Sequence, residues 1–490
     1  MAVDVETQLQ SGLALHRAGK LIEAQSIYES ILTINPDHAD ALHLLGIAAA
    51  QSNQHQRAAD LIGKAISIKP DNAAFHSNRG NSLRELKQFE AAIASYDVAI
   101  RIRPDFADAY VNRGNALRDL MQFGAAVASY DNAINIRPDF YSAYYNRGIA
   151  LGETKQLNAA IASYDQAIDI RPDSAEAHWN KSLALLLQGD FANGWPLYEW
   201  RWNSQIVKQI SNRERPSFIQ PAWSGAQGLH GKSILLHSEQ GLGDTIQFIR
   251  YAARVAENGG RVIAAVPKPL MNLIQDLDGV SEVVDEESRL PLTDFHCPLL
   301  TLPKVFNTTL TTIPTYQAYL HSDSKNVAAW AKTLGEKTQP RVGLVWSGGT
   351  GHKNDHNRSI ALSSLIDYLP DGIEYVSLQK DVRDSDRLTL AKSSKVRTYD
   401  DQIADFSDTA ALCDLMDLVI SVDTSVAHLS GALGRPTWIL LPYVPDWRWL
   451  LDRDDSPWYP SVKLYRQSAD MLWTSVFEKV KADLLLLSGM

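Results

Sequence analysis

The chain has 490 residues, more than one hydrophobic core holds, and at roughly 150 residues per domain it predicts about three domains. Its formal net charge of −10 makes it a poor candidate for sequence-independent nucleic-acid binding, which needs clustered Lys and Arg against phosphate, and leaves room only for a local basic pocket. Two cysteines, Cys297 and Cys413, exclude a disulfide framework, and no Cys pair has metal-ligand spacing. The N-terminal MAVDVETQLQ is acidic and polar, unlike a signal peptide, and no stretch approaches the roughly 18 apolar residues of a membrane span, so a cytoplasmic protein is expected.

The first half repeats. Pro36, Pro70, Pro104, Pro138 and Pro172 follow one another at 34 residues, in the strings INPD, IKPD, IRPD, IRPD and IRPD. Gly12, Gly46, Gly80, Gly114 and Gly148 keep the period, as do Ala24, Ala58, Ala92, Ala126 and Ala160, and the aromatics Tyr28, Tyr96, Tyr130 and Tyr164. Within one unit the apolar residues fall at helical spacing in two runs, so each unit reads as a helical hairpin. Its proline cannot continue the second helix, and it must stack on its neighbours to bury its apolar face. Five full repeats run over about residues 5–172. A degenerate sixth ends at Trp202, with Ser182 at the glycine position and Trp195, Trp200 and Trp202 added. It reads either as a unit docking on the next domain or as a capping repeat. Asn78, Asn112, Asn146 and Asn180 also recur with the period. They are expected toward the concave side, where an amide can both donate to and accept from an extended peptide.

From residue 203 to 230 the chain reads as an irregular linker. Beyond it, short apolar runs alternate with helical segments: SILLHSE, RVIAAVP and SEVVDE, then RVGLVWSG, EYVSLQK, LVISVDTS, PTWILLP and VKLYRQ. Alternation of this kind predicts doubly wound parallel sheets, one over 231–330 and one over 340–468, with a closing helix over 469–490.

Four motifs carry chemistry. In HSEQGLGDTIQFIRYA a strand ends near Glu239, glycines including Gly243 allow a tight turn and close approach of a ligand, and a helix begins near Asp244, which reads equally as an N-cap. In LVISVDTSVAHLSGALGRP a strand runs into Asp423, Thr424 and Ser425 and then a helix carrying His428. Free amides, hydroxyls and the positive helix end make a diphosphate cradle there, against the plainer reading of a capped helix with a buried histidine. VWSGGTGHKNDHNRSI is a glycine-rich loop whose Lys353 and Arg358, beside His352 and His356, suit an anion better than a metal. In SLQKD, Gln379 and Lys380 stand at the carboxyl edge of a strand, within reach of a ribose or base. The aromatic tail PDWRWLLDRDDSPWYPS reads either as an acceptor-cleft lining or as packing at a domain junction.

GLGD and DTSVAHLSGALGRP together resemble the heptosyltransferase-like glycosyltransferases (family 9-like), whose fold is two facing Rossmann domains, GT-B. The fused repeats and the GWPLYEWRW junction resemble a bacterial family of repeat-containing glycosyltransferases with tetratricopeptide arrays. The layout also parallels O-linked N-acetylglucosamine transferase, in which an asparagine ladder grips a peptide. The resemblance implies an α-helical tetratricopeptide superhelix over 1–202 followed by a GT-B fold. It implies Asp244 as catalytic base, donor phosphates on Gly243, Asp423, Thr424, Ser425 and His428, and a phosphate-neutralising cation at Lys353 or Arg358, Arg358 being favoured by its place before a helix. The heptose enzymes lack a repeat array and use an acidic ribose contact, where this chain has Gln379 and Lys380.

The implied activity is an inverting, metal-independent transfer of a sugar from a nucleotide-diphosphate donor, without a cofactor. The acceptor implied by the layout is a protein or peptide presented by the array on Asn78, Asn112, Asn146 and Asn180. The alternative is a protein-binding scaffold with an inactive transferase-like half.

Overall fold

The computed structural model describes residues 5–205, 218–351 and 354–487. The chain divides into two compact units, Met1–Lys181 and Ser182–Met490.

The first unit is built from antiparallel helix pairs: α1 (Val5–Arg17) with α2 (Leu21–Ile34), α3 (Ala39–Gln51) with α4 (His55–Ile68), α5 (Ala73–Glu85) with α6 (Phe89–Ile102), α7 (Ala107–Asp119) with α8 (Phe123–Ile136), and α9 (Tyr141–Gly152) with α10 (Leu157–Ile170). Each second helix stops just before the repeat's proline; α6, for instance, closes on Arg103 and Pro104 follows. The recurring glycine has a packing cause. A Cβ at Gly80, Gly114 or Gly148 would lie 2.5 Å from the Cε1 atom of Tyr96, Tyr130 or Tyr164 respectively, so the ring rests against bare helix backbone. Those rings are buried, and Tyr96 and Tyr130 donate to Asn81 and Asn115 at 2.8 and 2.9 Å. Burial pushes the Tyr130 hydroxyl up to about 12. In the second repeat Ile62 takes the aromatic position against Gly46.

The contact orders two substitutions. Gly114→Ala should destabilise the array by about 1–3 kcal/mol through overpacking, although alanine is the better helix former. Gly63→Ala should stabilise it by up to about 1 kcal/mol, because the nearest atom to its Cβ is Arg79 Nε at 3.8 Å. Thermal melting of the two variants in parallel checks the pair of signs.

In the second unit, β1 (Ser233–His237), β2 (Arg261–Val266), β3 (Val280–Asp285) and β4 (Phe295–Pro298) form a parallel sheet in the order β3-β2-β1-β4. The sequence reading passed over β4, whose four residues FHCP end in proline. Part of the expected linker belongs to this sheet as well: Trp223 N–H donates to His296 O at 2.8 Å, and His296 N–H to Pro221 O at 3.1 Å. A second parallel sheet holds β5 (Arg341–Val345), β6 (Glu374–Ser377), β7 (Val396–Arg397), β8 (Leu418–Val422), β9 (Thr437–Leu441) and β10 (Val462–Arg466), in the order β10-β9-β8-β5-β6-β7. Read from β7, this is the doubly wound order, which reverses direction between β5 and β8. The helix Ser324–Leu334 crosses residue 330, the expected end of the first sheet's domain. It packs on the second sheet's helix Phe406–Asp414, with Trp330 Nε1 donating to Asp408 at 2.9 Å. The closing helix runs over Thr474–Leu487 and buries Val476, Phe477, Val480 and Leu484 in the second core.

The degenerate repeat's last helix, Phe191–Tyr198, and the 3₁₀ turn Glu199–Trp202 fall within the second unit. Trp195 donates from Nε1 to Thr308 O at 3.1 Å and meets Trp447 edge-on at 5.2 Å between centroids. Phe191 packs on Trp458 at 5.9 Å, and Phe248 on Trp458 at 5.7 Å. Trp447, Trp449, Trp458 and Tyr459 are all buried, so the aromatic tail is packing inside this unit rather than an open lining.

Candidate functional site

β1 runs into the turn 238–241, and the following helix is Leu242–Phe248. It begins at Leu242, so Gly243 and Asp244 lie inside its first turn. Asp244 is not the N-cap. It stands at the third helical position and accepts the N-cap Gly241 N–H on Oδ2 at 2.8 Å, the one half of a capping box that a glycine N-cap allows. The need for glycine at 243 is also visible. A Cβ there would lie 2.9 Å from His428 Cδ2 and 3.4 Å from Ser425 Cα, so the first sheet's helix meets the second sheet's helix at this residue.

That second helix, Ser425–Ala432, follows β8 and is N-capped by Thr424, whose hydroxyl lies 3.0 Å from Ser421 Oγ. Its first amides precede any i−4 carbonyl and carry the positive helix end. His428 is buried, with Nδ1 3.0 Å from the Tyr459 hydroxyl and its ring stacked on Trp449. Burial, reinforced by Arg448, Arg250 and Arg358, pushes its pKa well below the ordinary range, so the imidazole is neutral at pH 7. The Asp423 carbonyl accepts from Arg358 Nη1 at 2.9 Å. Its carboxyl is enclosed, and burial first, then Asp446, push it up to about 6.

The sign of that shift fixes a pH dependence. With its folded pKa above the usual value near 4, the protonated carboxyl stabilises the fold. That contribution is fully present below about pH 4 and is lost as pH rises through about 6. The melting temperature of Asp423→Asn relative to wild type should therefore rise as pH is raised from 4 to 6.5 and level off above. A gap that stays constant across this window would contradict the assignment.

The glycine-rich loop after β5 is held by two arginines. Arg358 ends the short helix Asp355–Arg358 and lies over Gly348, where a Cβ would come within 2.6 Å of its Nη2. Arg383 donates to Gly348 O at 3.0 Å and ion-pairs Asp355. Lys353 and His352 lie outside the described residues. Gln379 differs from expectation. Gln379 is buried and accepts the backbone N–H groups of Trp346 and Ser347 at 2.9 and 2.8 Å, and its amide donates to Ser347 Oγ and Asp381 O. Lys380 donates to Ala404 O. Gln379 thus braces the loop from within rather than turning out toward a ribose or base, while the exposed Lys380 reaches the segment between β7 and the helix Phe406–Asp414.

Arg448, in the aromatic tail, is the residue that sequence reasoning missed. It is buried and pairs with Asp244 Oδ1 at 2.5 Å and with Asp446 Oδ1 at 2.8 Å, while its Nε donates to Gln247 Oε1 at 2.9 Å. Desolvation opposes this charge, and Asp446 and Asp244 outweigh it, raising its pKa further. Arg448 thus ties the Asp244 helix to the segment that follows β9. The one sequence signal was a lone cation between two tryptophans in PDWRW.

In the first unit the four asparagines are half-buried and unequally engaged. Asn78 Nδ2 lies 2.9 Å from His43 Nε2, which accepts because burial lowers that histidine to about 4. Asn180 donates to Tyr145 Oη at 3.0 Å, and Asn146 accepts from Arg118 at 3.5 Å. Asn112 makes no side-chain hydrogen bond to a described residue, so the middle of the ladder keeps most of its amide capacity.

The class is therefore a helical repeat array followed by an α/β unit of two parallel sheets. Residues 80–120, 114–155 and 150–189 match a family model described as TPR repeat, and residues 15–80 match one described as Tetratricopeptide repeat. The N-terminal array is thus a tetratricopeptide array, a scaffold for protein or peptide partners. The chain is similar to Protein FlbA of Caulobacter vibrioides, 27% identical over 330 residues that span 61% of this chain and 53% of that protein; the chain therefore spans about half the length of this curated relative. Among solved structures it is similar to MamA (21% identical, 36% of this chain and 99% of that one, TM-score 0.32) and to YrrB, a TPR protein with an unusual peptide-binding site (22%, 37% and 93%, TM-score 0.33). A thermophilic TPR protein of Thermus thermophilus is 20% identical over 37% of this chain and 100% of that one, with a TM-score of 0.33. Among the described residues no helix is long and apolar enough to cross a membrane.

Proposed function

We propose that the α/β unit is a glycosyltransferase of the GT-B kind, transferring a sugar from a nucleotide-diphosphate donor to a protein or peptide acceptor held by the repeat array. The observation that carries the reading is the meeting of two switch-point loops. In open parallel sheets ligands bind beyond the carboxyl ends of the strands where the order reverses. Both the DTS turn after β8 and the glycine-rich loop after β5 flank that point in the second sheet, and the GLGD turn follows β1 at the reversal of the first. Gly243 against Ser425 and His428 brings Asp244 beside the helix end that suits a diphosphate.

In the proposed reaction the Ser425–Ala432 helix end, Thr424, Ser425 and Arg358 take up charge on the leaving diphosphate. Neutral His428 serves as a packed wall behind them. Asp244 receives the proton of the acceptor hydroxyl or amide as the new glycosidic bond forms opposite the leaving group. The free capacity of Asn112 and Asn146 gives the middle of the array the first claim on an extended acceptor backbone.

A thermal-shift screen of UDP, GDP, ADP and CDP tests the donor half of this reading. A specific diphosphate at 100-fold its Kd should stabilise the fold by about 2.7 kcal/mol, and the gain should fall in Arg358→Gln. The absence of a shift with all four would favour the second reading, an inactive scaffold. That reading draws support from the occupation of both Asp244 oxygens within the chain.

A further inference from the structure

Arg201 lies in GWPLYEWRW, within the segment that the sequence assigns to the last repeat, yet it is surrounded by the α/β unit. It is 1% exposed and every arm of its guanidinium is used. Nε and Nη2 grip the two oxygens of Glu239 at 3.0 and 2.9 Å. Nη1 donates to Glu199 Oε1 at 2.7 Å and to Tyr198 O at 3.2 Å, and Nη2 also donates to Thr301 Oγ1 at 2.8 Å. Glu239 in turn accepts the Leu300 N–H at 3.1 Å. Two residues further along the chain is Gly241, whose amide holds Asp244. The neighbouring Gln240 accepts from Tyr198 Oη at 3.4 Å, and Tyr198 packs on Trp447 beside Arg448. The 191–202 segment therefore reaches Asp244 along two routes, through the Glu239–Gly241 turn and through Trp447–Arg448.

We infer that Arg201 is a positioning residue for Asp244, supplied by the end of the repeat segment, so that the proposed active site is incomplete without that segment. The inference rests on the transferase reading above. A bidentate buried pair suits this work because the planar fork fixes Glu239 in two directions at once. A hydrophobic residue of the same size would fill the volume without orienting the turn.

The test uses the full chain and two variants: Arg201→Lys, which keeps the charge and loses the fork, and the double Arg201→Gln with Glu239→Gln, which removes both fully buried charges together and leaves only the part-exposed Glu199 carboxylate without its partner. In amide hydrogen exchange of the double variant without ligand, exchange over 239–248 should rise about tenfold or more, while exchange over 418–432 should stay within about twofold. In release of nucleoside diphosphate from whichever of UDP-N-acetylglucosamine, UDP-glucose, GDP-mannose and ADP-glucose the wild type consumes, kcat should fall about tenfold with donor KM within about twofold, and Arg201→Lys should lie between. Unchanged exchange over 239–248, or a uniform rise throughout 182–490, overturns the inference. So does a rise in KM with kcat intact. The exchange arm needs no substrate. A wild type silent towards all four donors therefore contradicts the transferase reading, while the exchange result still decides the role of Arg201.

Discussion

Asp244→Asn is expected to cut sugar transfer by on the order of 10²–10⁴-fold, the usual contribution of a positioned general base, while nucleoside-diphosphate affinity stays within about threefold. The separation follows from where the groups sit. Asp244 belongs to the first sheet's helix, whereas the proposed diphosphate contacts belong to the loops after β5 and β8. Asparagine has the same volume and its oxygen can still accept the Gly241 N–H, so the helix start is kept. Its amide then faces the Arg448 guanidinium, donor against donor, and the ion pair is lost. A modest drop in melting temperature should accompany the loss of transfer. Isothermal titration with the diphosphate that shifts the wild type, run beside the transfer assay, separates the two effects. Loss of binding in proportion to activity would remove Asp244 from the role of base and make it a determinant of the fold.

The largest expected stability effect belongs to Arg448. Arg448→Met keeps much of the volume and removes the cation that pairs with both Asp244 and Asp446, leaving the two carboxylates in a site that also holds Asp423. Removing one partner of a fully buried pair costs about 3–5 kcal/mol, because the other partner keeps its desolvation penalty; with Asp244 and Asp446 19% and 36% exposed, water screens the stranded charges and the cost falls to the lower end, about 3 kcal/mol. In a unit of this size that lowers the melting temperature by on the order of 10 °C. The mechanism carries its own check. Adding Asp244→Asn to Arg448→Met removes one of the stranded charges, so the double variant should melt above the single one. Additive destabilisation in the double-mutant cycle would show that the cost comes from packing against Trp447 and not from charge.

The repeat array was the most legible part of the chain. Its period is written in residues whose spacing has a local cause: prolines that stop helices, and glycines that admit a tyrosine ring. The alternation of strands and helices in the second half was legible for the same reason, since buried parallel strands read as short apolar runs. The boundaries were less so. The sequence placed the end of the array at Trp202, but Phe191, Trp195 and Arg201 find their partners at Trp458, Trp447 and Glu239, and no local pattern encodes contacts that far along the chain. β4 and β7 were missed because four and two residues are too few to show a period.

Within the site, GLGD and DTS were found because a strand-turn-helix order with glycines or hydroxyls is a local signal. Arg448 was missed and Gln379 was misassigned for a shared reason. Both are polar residues at strand ends or in loops, and only the fold decides whether such a side chain faces a ligand or satisfies backbone. Gln379 satisfies Trp346 and Ser347, and Arg448 satisfies two aspartates. Asp244 has a further local role that its position before a helix did not reveal, at the third helical position, where it accepts the Gly241 N–H.

The most direct measurement of the central claim is the release of nucleoside diphosphate from UDP-, GDP- and ADP-linked sugars by the full chain, with wild type and Asp244→Asn assayed side by side. The expected result is consumption of one donor by the wild type and none above background by the variant, with both proteins melting cooperatively. Equal consumption by the two proteins, or none by a well-folded wild type with every donor, would contradict the assignment of a transferase active site to the meeting of the GLGD and DTS helices.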